Sequence, residues 1–244
     1  MEAGNAFITG ISSGLGLGLA RRLGDRGWGV YGCSRRGCAL PNVHDIRLDL
    51  GDEVAVAPTL DRLLSDIEGL ELVVLNAGVL GEIRDLSTTP LADLQGVMAV
   101  NVWANKLILD WLHAWGRPVA QIVLISSGAA VLGSRGWGGY ALSKATLNML
   151  AKLYAHEFDG THITALAPGI IDTAMMDTLC EQSDATRFPA LERLREPQRH
   201  HRRRDLPAGL DREEGLAGDA RAGGEGPLRE AGAFAAGLEE DDQR

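Results

Sequence analysis

The sequence predicts an α/β fold: a doubly wound parallel sheet with helices on both faces, three layers in all. Three observations lead there. Apolar runs recur along residues 1–194, separated by stretches with helical apolar spacing, which is the pattern of parallel strands joined by crossover helices. One run, QIVLIS (121–126), reads as a strand buried on both faces. A glycine-rich turn, TGISSGLG (9–16), lies between the first apolar run and the first helical stretch.

Each element follows in order. AFIT (6–9) is a short strand, and LGLGLARRLGDRG (15–27) is a helix ended by Gly27. VYGCS (30–34) is the second strand, and the alternation in HDIRLDL (44–50) makes a third. Residues 53–68 carry helical spacing and LELVVLNAG (70–78) returns to the sheet. The long stretch 91–115 reads as one helix, 138–158 as another, and HITALAPG (162–169) as a strand and turn. In such sheets a ligand sits beyond the carboxyl ends of the strands.

From about residue 195 the texture changes. Residues 195–244 hold nine arginines, eight glycines and twelve acidic residues, but no valine or isoleucine. A strand is improbable without β-branched residues, so the expectation is two parts, a packed domain over 1–194 and a disordered tail over 195–244.

Composition excludes several classes. A net charge of −9 argues against nucleic-acid binding, since the basic run Arg202-Arg203-Arg204 is answered by the acidic residues after it. No apolar run is long enough to cross a membrane, and the N-terminus lacks the pattern of a secretory signal. Cys33, Cys38 and Cys180 are odd in number and lack metal-ligand spacing, as do the scattered histidines, so no metal site is expected and a cytoplasmic location is.

The turn at 9–16 places Gly10, Gly14 and Gly16 where a tight bend opens a helix whose first N–H groups can meet a pyrophosphate. The same glycines could simply shape a turn. At the end of the second strand stand Ser34, Arg35 and Arg36. An arginine there pairs with a ribose 2′-phosphate, which selects NADP(H) over NAD(H), although two arginines on a loop are also ordinary solvated charges. Asp49 either accepts from the adenine amino group or caps a turn.

YALSK (140–144) sets Tyr140 and Lys144 four residues apart, on one helix face, and uses one of only three lysines in the chain. An ammonium beside a phenol favours the phenolate, so the tyrosine is expected to be unusually acidic and to serve as a proton donor. Ser127 directly follows the strand QIVLIS, and the glycine-rich loop 133–139 lets both hydroxyls face one carbonyl oxygen. Taken singly, each of these residues has an ordinary structural role.

Together they resemble the classical short-chain dehydrogenases/reductases. That family's T-G-x-x-x-G-x-G pattern is met by Thr9, Gly10, Gly14 and Gly16, and its Y-x-x-x-K by Tyr140 and Lys144. The resemblance spans about residues 4–194 and places the active-site serine on Ser127. It puts the helix asparagine, which anchors a water in the proton relay, on Asn101. The family's N-N-A-G becomes Leu75-Asn76-Ala77-Gly78, with the first asparagine lost. Pro168 and Gly169, followed by Thr173, match the segment that meets the carboxamide face of the nicotinamide. APGIIDTAM resembles the branch of sepiapterin and benzil reductases.

This resemblance implies a Rossmann-type sheet of seven strands, a homodimer or homotetramer, and reversible hydride transfer between NADP(H) and a carbonyl or alcohol. The catalytic set would be Ser127, Tyr140, Lys144 and Asn101. The cofactor contacts would be Gly10, Ser12, Ser13, Gly14, Leu15, Gly16, Arg35, Asp49, Leu50, Asn76, Ala77, Gly78, Tyr140, Lys144, Pro168, Gly169, Ile171 and Thr173. Reduction is the expected direction, resting on the NADP(H) preference.

No β-branched seventh strand follows residue 194, so that strand is expected to be missing. The loss of valine and isoleucine with a rise of arginine, glycine and alanine matches a GC-rich gene read in a shifted frame. The hypothesis is a frameshift or altered end near residue 195, tested by sequencing across the codons for Leu194 and Arg195. An inactive, C-terminally altered member and a non-catalytic dinucleotide-binding or redox-sensing protein are the alternative functions. Trp111 and Trp115 share one face of the long helix and fit either a subunit contact or the core.

Overall fold

The computed structural model describes residues 4–169 and Phe188. Six strands form one parallel sheet: β1 (Asn5–Thr9), β2 (Gly29–Ser34), β3 (Val43–Arg47), β4 (Leu72–Leu75), β5 (Gln121–Ile125) and β6 (His162–Leu166). Their order is β3-β2-β1-β4-β5-β6. The order reverses between β1 and β4, where the chain steps from one half of the sheet to the other, and that is where a doubly wound sheet opens a crevice. Phe7 of β1 stands between Tyr31 of β2 and Val73 of β4, so β1 lies at the centre.

Neighbouring residues on these strands feed opposite faces because the side-chain period is two. Phe7, Val73 and Leu75 point into the larger core with Leu60, Ile108, Leu112, Ile122 and Leu147. Ile8 and Val74 point the other way, to Ile11, Ala20 and Val30. The first face is covered by α2 (Glu53–Leu63), α4 (Ala104–Trp115) and α5 (Gly138–Tyr154), and the second by α1 (Gly14–Gly24). At the centre of the sheet, in β1 and β4, both faces are therefore covered, which is why these strands tolerate continuous apolar runs.

The structure differs from the sequence reading at several element boundaries. The stretch 91–115 is not one regular helix: α3 (Leu91–Met98) passes through a π-helical turn, Ala99–Trp103, into α4. The apolar residues of 91–115 are dense enough to fit a single regular helix, so their spacing does not reveal the turn. The third strand ends at Arg47, short of Leu50, since Asp49 turns the chain by accepting from the Gly51 amide at 3.0 Å. The helix expected over 138–158 ends at Tyr154. Gly27 does follow the first helix, with a left-handed φ of 80°.

Trp111 and Trp115 serve within the chain. Their rings stack at 5.3 Å, Trp111 donates from Nε1 to Asp61 of α2 at 2.8 Å, and both pack against the larger core. They join α4 to α2. The expected missing seventh strand and the 195–244 tail lie outside the described residues. No helix among the described residues is long and apolar enough to cross a membrane.

Candidate active site

The cleft begins where β1 turns into α1. Gly10 holds a φ of 75° and Gly14 one of 55°, conformations that side chains resist. A Cβ on Gly16 would collide with the Gly10 carbonyl oxygen and come within 2.7 Å of the Asn76 amide nitrogen. The turn is thus closed by backbone against backbone, and the close approach needs glycine. Asn76, just beyond β4, pins the turn from the side: its Nδ2 donates to the Thr9 carbonyl at 3.0 Å. Thr9, fully buried, returns the tie by accepting the Asn76 and Ala77 amides at 2.9 and 3.0 Å.

Ser13 is the N-cap of α1, yet its hydroxyl caps nothing. It accepts instead from Arg36 Nη2 at 3.0 Å, with Ser12 Oγ at 3.5 Å from the same nitrogen. The first turn of α1 carries no acidic residue. A helix start with uncapped N–H groups, a glycine-bared floor and a guanidinium at its lip fits the phosphates of a dinucleotide. Of the two adjacent arginines it is Arg36 that reaches Ser12 and Ser13. Arg35 is exposed and makes no hydrogen bond or ion pair among the described residues. Asp49 is turned to its own Gly51, and the Leu50 side chain is buried in the core.

The candidate reacting groups lie past the ends of β4 and β5. Ser127 follows β5 in extended backbone and heads a short 3₁₀ turn, Gly128–Ala130. Its hydroxyl accepts from the Ala129 amide at 3.2 Å and acts on the Tyr140 phenol, in the first turn of α5, in the direction that lowers its pKa. Two hydroxyls placed in this way can share a third oxygen. Lys144 lies one turn on, 4% exposed, and its Nζ donates to the Ile125 carbonyl at 2.6 Å.

The expected acidic tyrosine is corrected here. Burial of the phenol pushes the Tyr140 pKa up, against a lowering contribution from the Ser127 hydrogen bond. The ammonium sits 5.6 Å from the ring centroid and is committed to Ile125, while its own burial brings Lys144 down to about 8. Desolvation outweighs the neighbouring charge. The structure thus holds a tyrosine that keeps its proton and a lysine that gives one up easily.

Asn101 is the hub beneath them. It sits in the π turn, fully buried, and every polar atom of its side chain is used. Oδ1 accepts from the Val79 amide at 2.8 Å, and Nδ2 donates to the Val79 carbonyl at 2.8 Å and to Ser143 Oγ at 2.9 Å. Ser143 in turn donates to the Tyr140 carbonyl at 2.7 Å. Gly78 lets this loop close, since a Cβ there would lie 3.2 Å from Asn101 Oδ1. Its side chain therefore positions the loop after β4 and the helix of Tyr140.

Ser12, Ser13, Leu15 and the three glycines of the turn lie at the first strand end, and Asn76, Ala77 and Gly78 at the end of β4. Pro168 and Gly169 follow β6, Gly169 with a φ of 79°. Ile171 and Thr173 lie outside the described residues. Sequence reasoning passed over Thr9 as a hydrogen-bonding group, and it missed Ser143 and Trp137. Ser143 was in plain view, a small polar residue inside YALSK. Trp137 meets Tyr140 edge to face at 6.2 Å and packs with Leu80, Ile83 and Phe188. Arg135 clasps Asp85 through two bonds of 2.6 and 2.9 Å, tying the loop before α5 to the loop after β4.

The short chain dehydrogenase family model matches residues 4–184. The chain is 32% identical over 192 residues to 1-deoxy-11-beta-hydroxypentalenate dehydrogenase of Streptomyces exfoliatus, covering 71% of this chain and 70% of that one. It is 30% identical to a benzil reductase ((S)-benzoin forming) of Saccharomyces cerevisiae, with 72% and 74% covered. Among solved structures, a short chain dehydrogenase/reductase from Saccharomyces cerevisiae superposes with a TM-score of 0.70 at 21% identity, over 82% of this chain and 84% of that one. One from Shigella flexneri, complexed with NADP, gives 0.66 at 22%, over 75% and 84%. Because the family model matches residues 4–184 and a relative 32% identical is covered over 70% of its length, the chain belongs to the short-chain dehydrogenases/reductases, oxidoreductases on a Rossmann nucleotide-binding fold.

Proposed function

We propose that this protein is an NADP(H)-dependent reductase of a small-molecule ketone or aldehyde, with Tyr140 as the proton donor. The observation that carries this reading is the grouping of Ser127 after β5 and Tyr140 in the first turn of α5, with Lys144 buried one turn behind and tied to the Ile125 carbonyl. Gly10, Gly14, Gly16 and the start of α1 would hold the pyrophosphate, and Arg36, with Arg35 beside it, the 2′-phosphate. When bound, the reduced nicotinamide supplies the hydride to the carbonyl carbon.

The chain's own groups do the rest. Ser127 orients the carbonyl oxygen and Tyr140 passes its proton to that oxygen as the alcohol forms. The tyrosinate left behind lies beside Lys144, whose lowered pKa makes it a ready source of the replacement proton. Asn101 holds the loop and helix that carry these groups in register. Tyr140, with its pKa raised by burial, holds its proton at neutral pH, as a proton donor must. The names of relatives point to reduction, benzil reductase and hydroxynaphthalene reductase among them, alongside dehydrogenases. The family's habit of pairing subunits supports a homodimer or homotetramer.

The test is NADPH consumption with diketones, quinones, pterins and simple ketones, run beside NADH and beside Tyr140→Phe. Turnover by the wild type with NADPH, lost in the variant, is the expected result. NADPH binding without turnover of any carbonyl would favour a dinucleotide-binding or sensing protein, and full activity in Tyr140→Phe would overturn the role of that residue.

A further inference from the structure

The chemistry above leaves Asn105 without a task, although it is an awkward residue to bury. It sits one turn on from Asn101 in α4 and is 1% exposed. Its Nδ2 donates to the main-chain carbonyl of Asn101 at 2.7 Å, and its Oδ1 is buried with no hydrogen-bond partner among the described residues. A carbonyl accepts only from a donor, so the nitrogen must face Asn101 and the oxygen is left in the dry interior. An unpaired buried acceptor is unfavourable, and leucine would fill the same space without one. The single contact the amide makes is therefore its reason for being there.

That contact falls at the π turn Ala99–Trp103, where the i→i−4 ladder gives way to an i→i−5 bond from the Ala104 N–H to the Ala99 carbonyl, a point at which helices change direction. We propose that Asn105 is a positioning residue: by gripping the Asn101 carbonyl it sets the rotation of the π turn, and so aims the Asn101 side chain at Val79 and Ser143. Ser143 carries that position to the Tyr140 carbonyl at 2.7 Å. The proton donor is thus held by a relay of buried amides and hydroxyls that starts one helical turn below it. This inference rests on the reading of Tyr140 as the proton donor.

The experiment compares Asn105→Thr with Asn105→Val. Threonine in a helix donates its hydroxyl to a carbonyl one turn back, and valine has nearly the same shape with no donor. The threonine variant is expected to keep kcat within about twofold of wild type. The valine variant is expected to lose about tenfold in kcat, the scale of a slightly misplaced reacting group, with carbonyl KM and NADPH affinity unchanged. Equal kcat in the two variants would overturn the proposal. So would a valine variant that fails to fold while the threonine variant folds, since the amide would then serve folding alone. Should the wild type turn over no carbonyl, the reductase reading has failed and not this one. Hydrogen exchange at the Val79 amide, which bonds Asn101 directly, then decides: faster exchange with valine than with threonine supports the grip, and equal rates overturn it.

Discussion

Between Thr9 and Gly16 the cleft is shaped by the absence of side chains, whereas between Asn76 and Lys144 it is shaped by buried polar side chains that satisfy one another. In the first region a Cβ on Gly16 has no room beside the Gly10 carbonyl, and the binding groups are backbone N–H. In the second, Asn101, Ser143 and Lys144 are each less than 5% exposed, and every described contact among them is a hydrogen bond to backbone or to another buried polar group. A backbone site recognises what all dinucleotides share. A polar network holds one geometry, which is what proton transfer needs.

Substitutions separate the two regions. The largest effect belongs to Tyr140→Phe, which removes the proposed proton donor and is expected to lower kcat by about 10²- to 10⁴-fold while NADPH affinity holds. A parallel loss of NADPH binding would mean that the phenol shapes the cofactor side and not the chemistry.

Lys144→Met comes next, and its effect is on stability as a function of pH. The folded pKa of Lys144, about 8, lies below the ordinary 10.5, so the unfolded chain binds the extra proton between those values. Stability from this group therefore rises as pH increases from about 8 to 10.5, and below that window the buried ammonium disfavours the fold. The shift corresponds to about 3 kcal/mol. The stability of Lys144→Met relative to wild type is expected to be highest at pH 7 and to decline toward pH 10, read from urea midpoints. Tyr140, with its pKa raised, lowers stability only above its ordinary value near 10, where the unfolded phenol ionises first, so the two groups occupy different windows. A difference that stays flat from pH 7 to 10 would show that the lysine is not desolvated.

Gly16→Ala tests the backbone region. Overpacking against the Gly10 carbonyl is expected to cost about 1–3 kcal/mol of stability and to weaken NADPH binding, with no change in the Ser127–Tyr140 pair. The smallest effect is that of Arg36→Ala. It removes one exposed charge-assisted contact and is expected to weaken NADPH binding about tenfold while leaving NADH unchanged. Equal loss for both cofactors would place Arg36 on the shared pyrophosphate.

Much of this was legible in the chain and some was not. The glycine turn, Tyr140 with Lys144, and Ser127 at a strand end were visible because each depends on local spacing. Arg36 was visible only as one of a pair, since which of two adjacent arginines bends back over Ser13 is decided by the loop and not by the residues. The π turn was hidden, because Ala99–Trp103 keeps an apolar stripe like any helix. Asn101 and Asn105 share a face at four residues' separation, and two asparagines on a buried stripe were the available sign of it.

The acidity of Tyr140 marks the boundary most clearly. Sequence alone determined the order of elements, the positions of the glycines and which groups stand four residues apart on one helix, because these follow from backbone sterics and helical period. Tertiary structure decided the state of those groups. Whether an ammonium or the loss of water governs a phenol depends on what surrounds both, and here the packed interior and the Ile125 carbonyl take precedence over the neighbour in sequence. Desolvation is a property of the whole fold, so no short stretch of residues can state it.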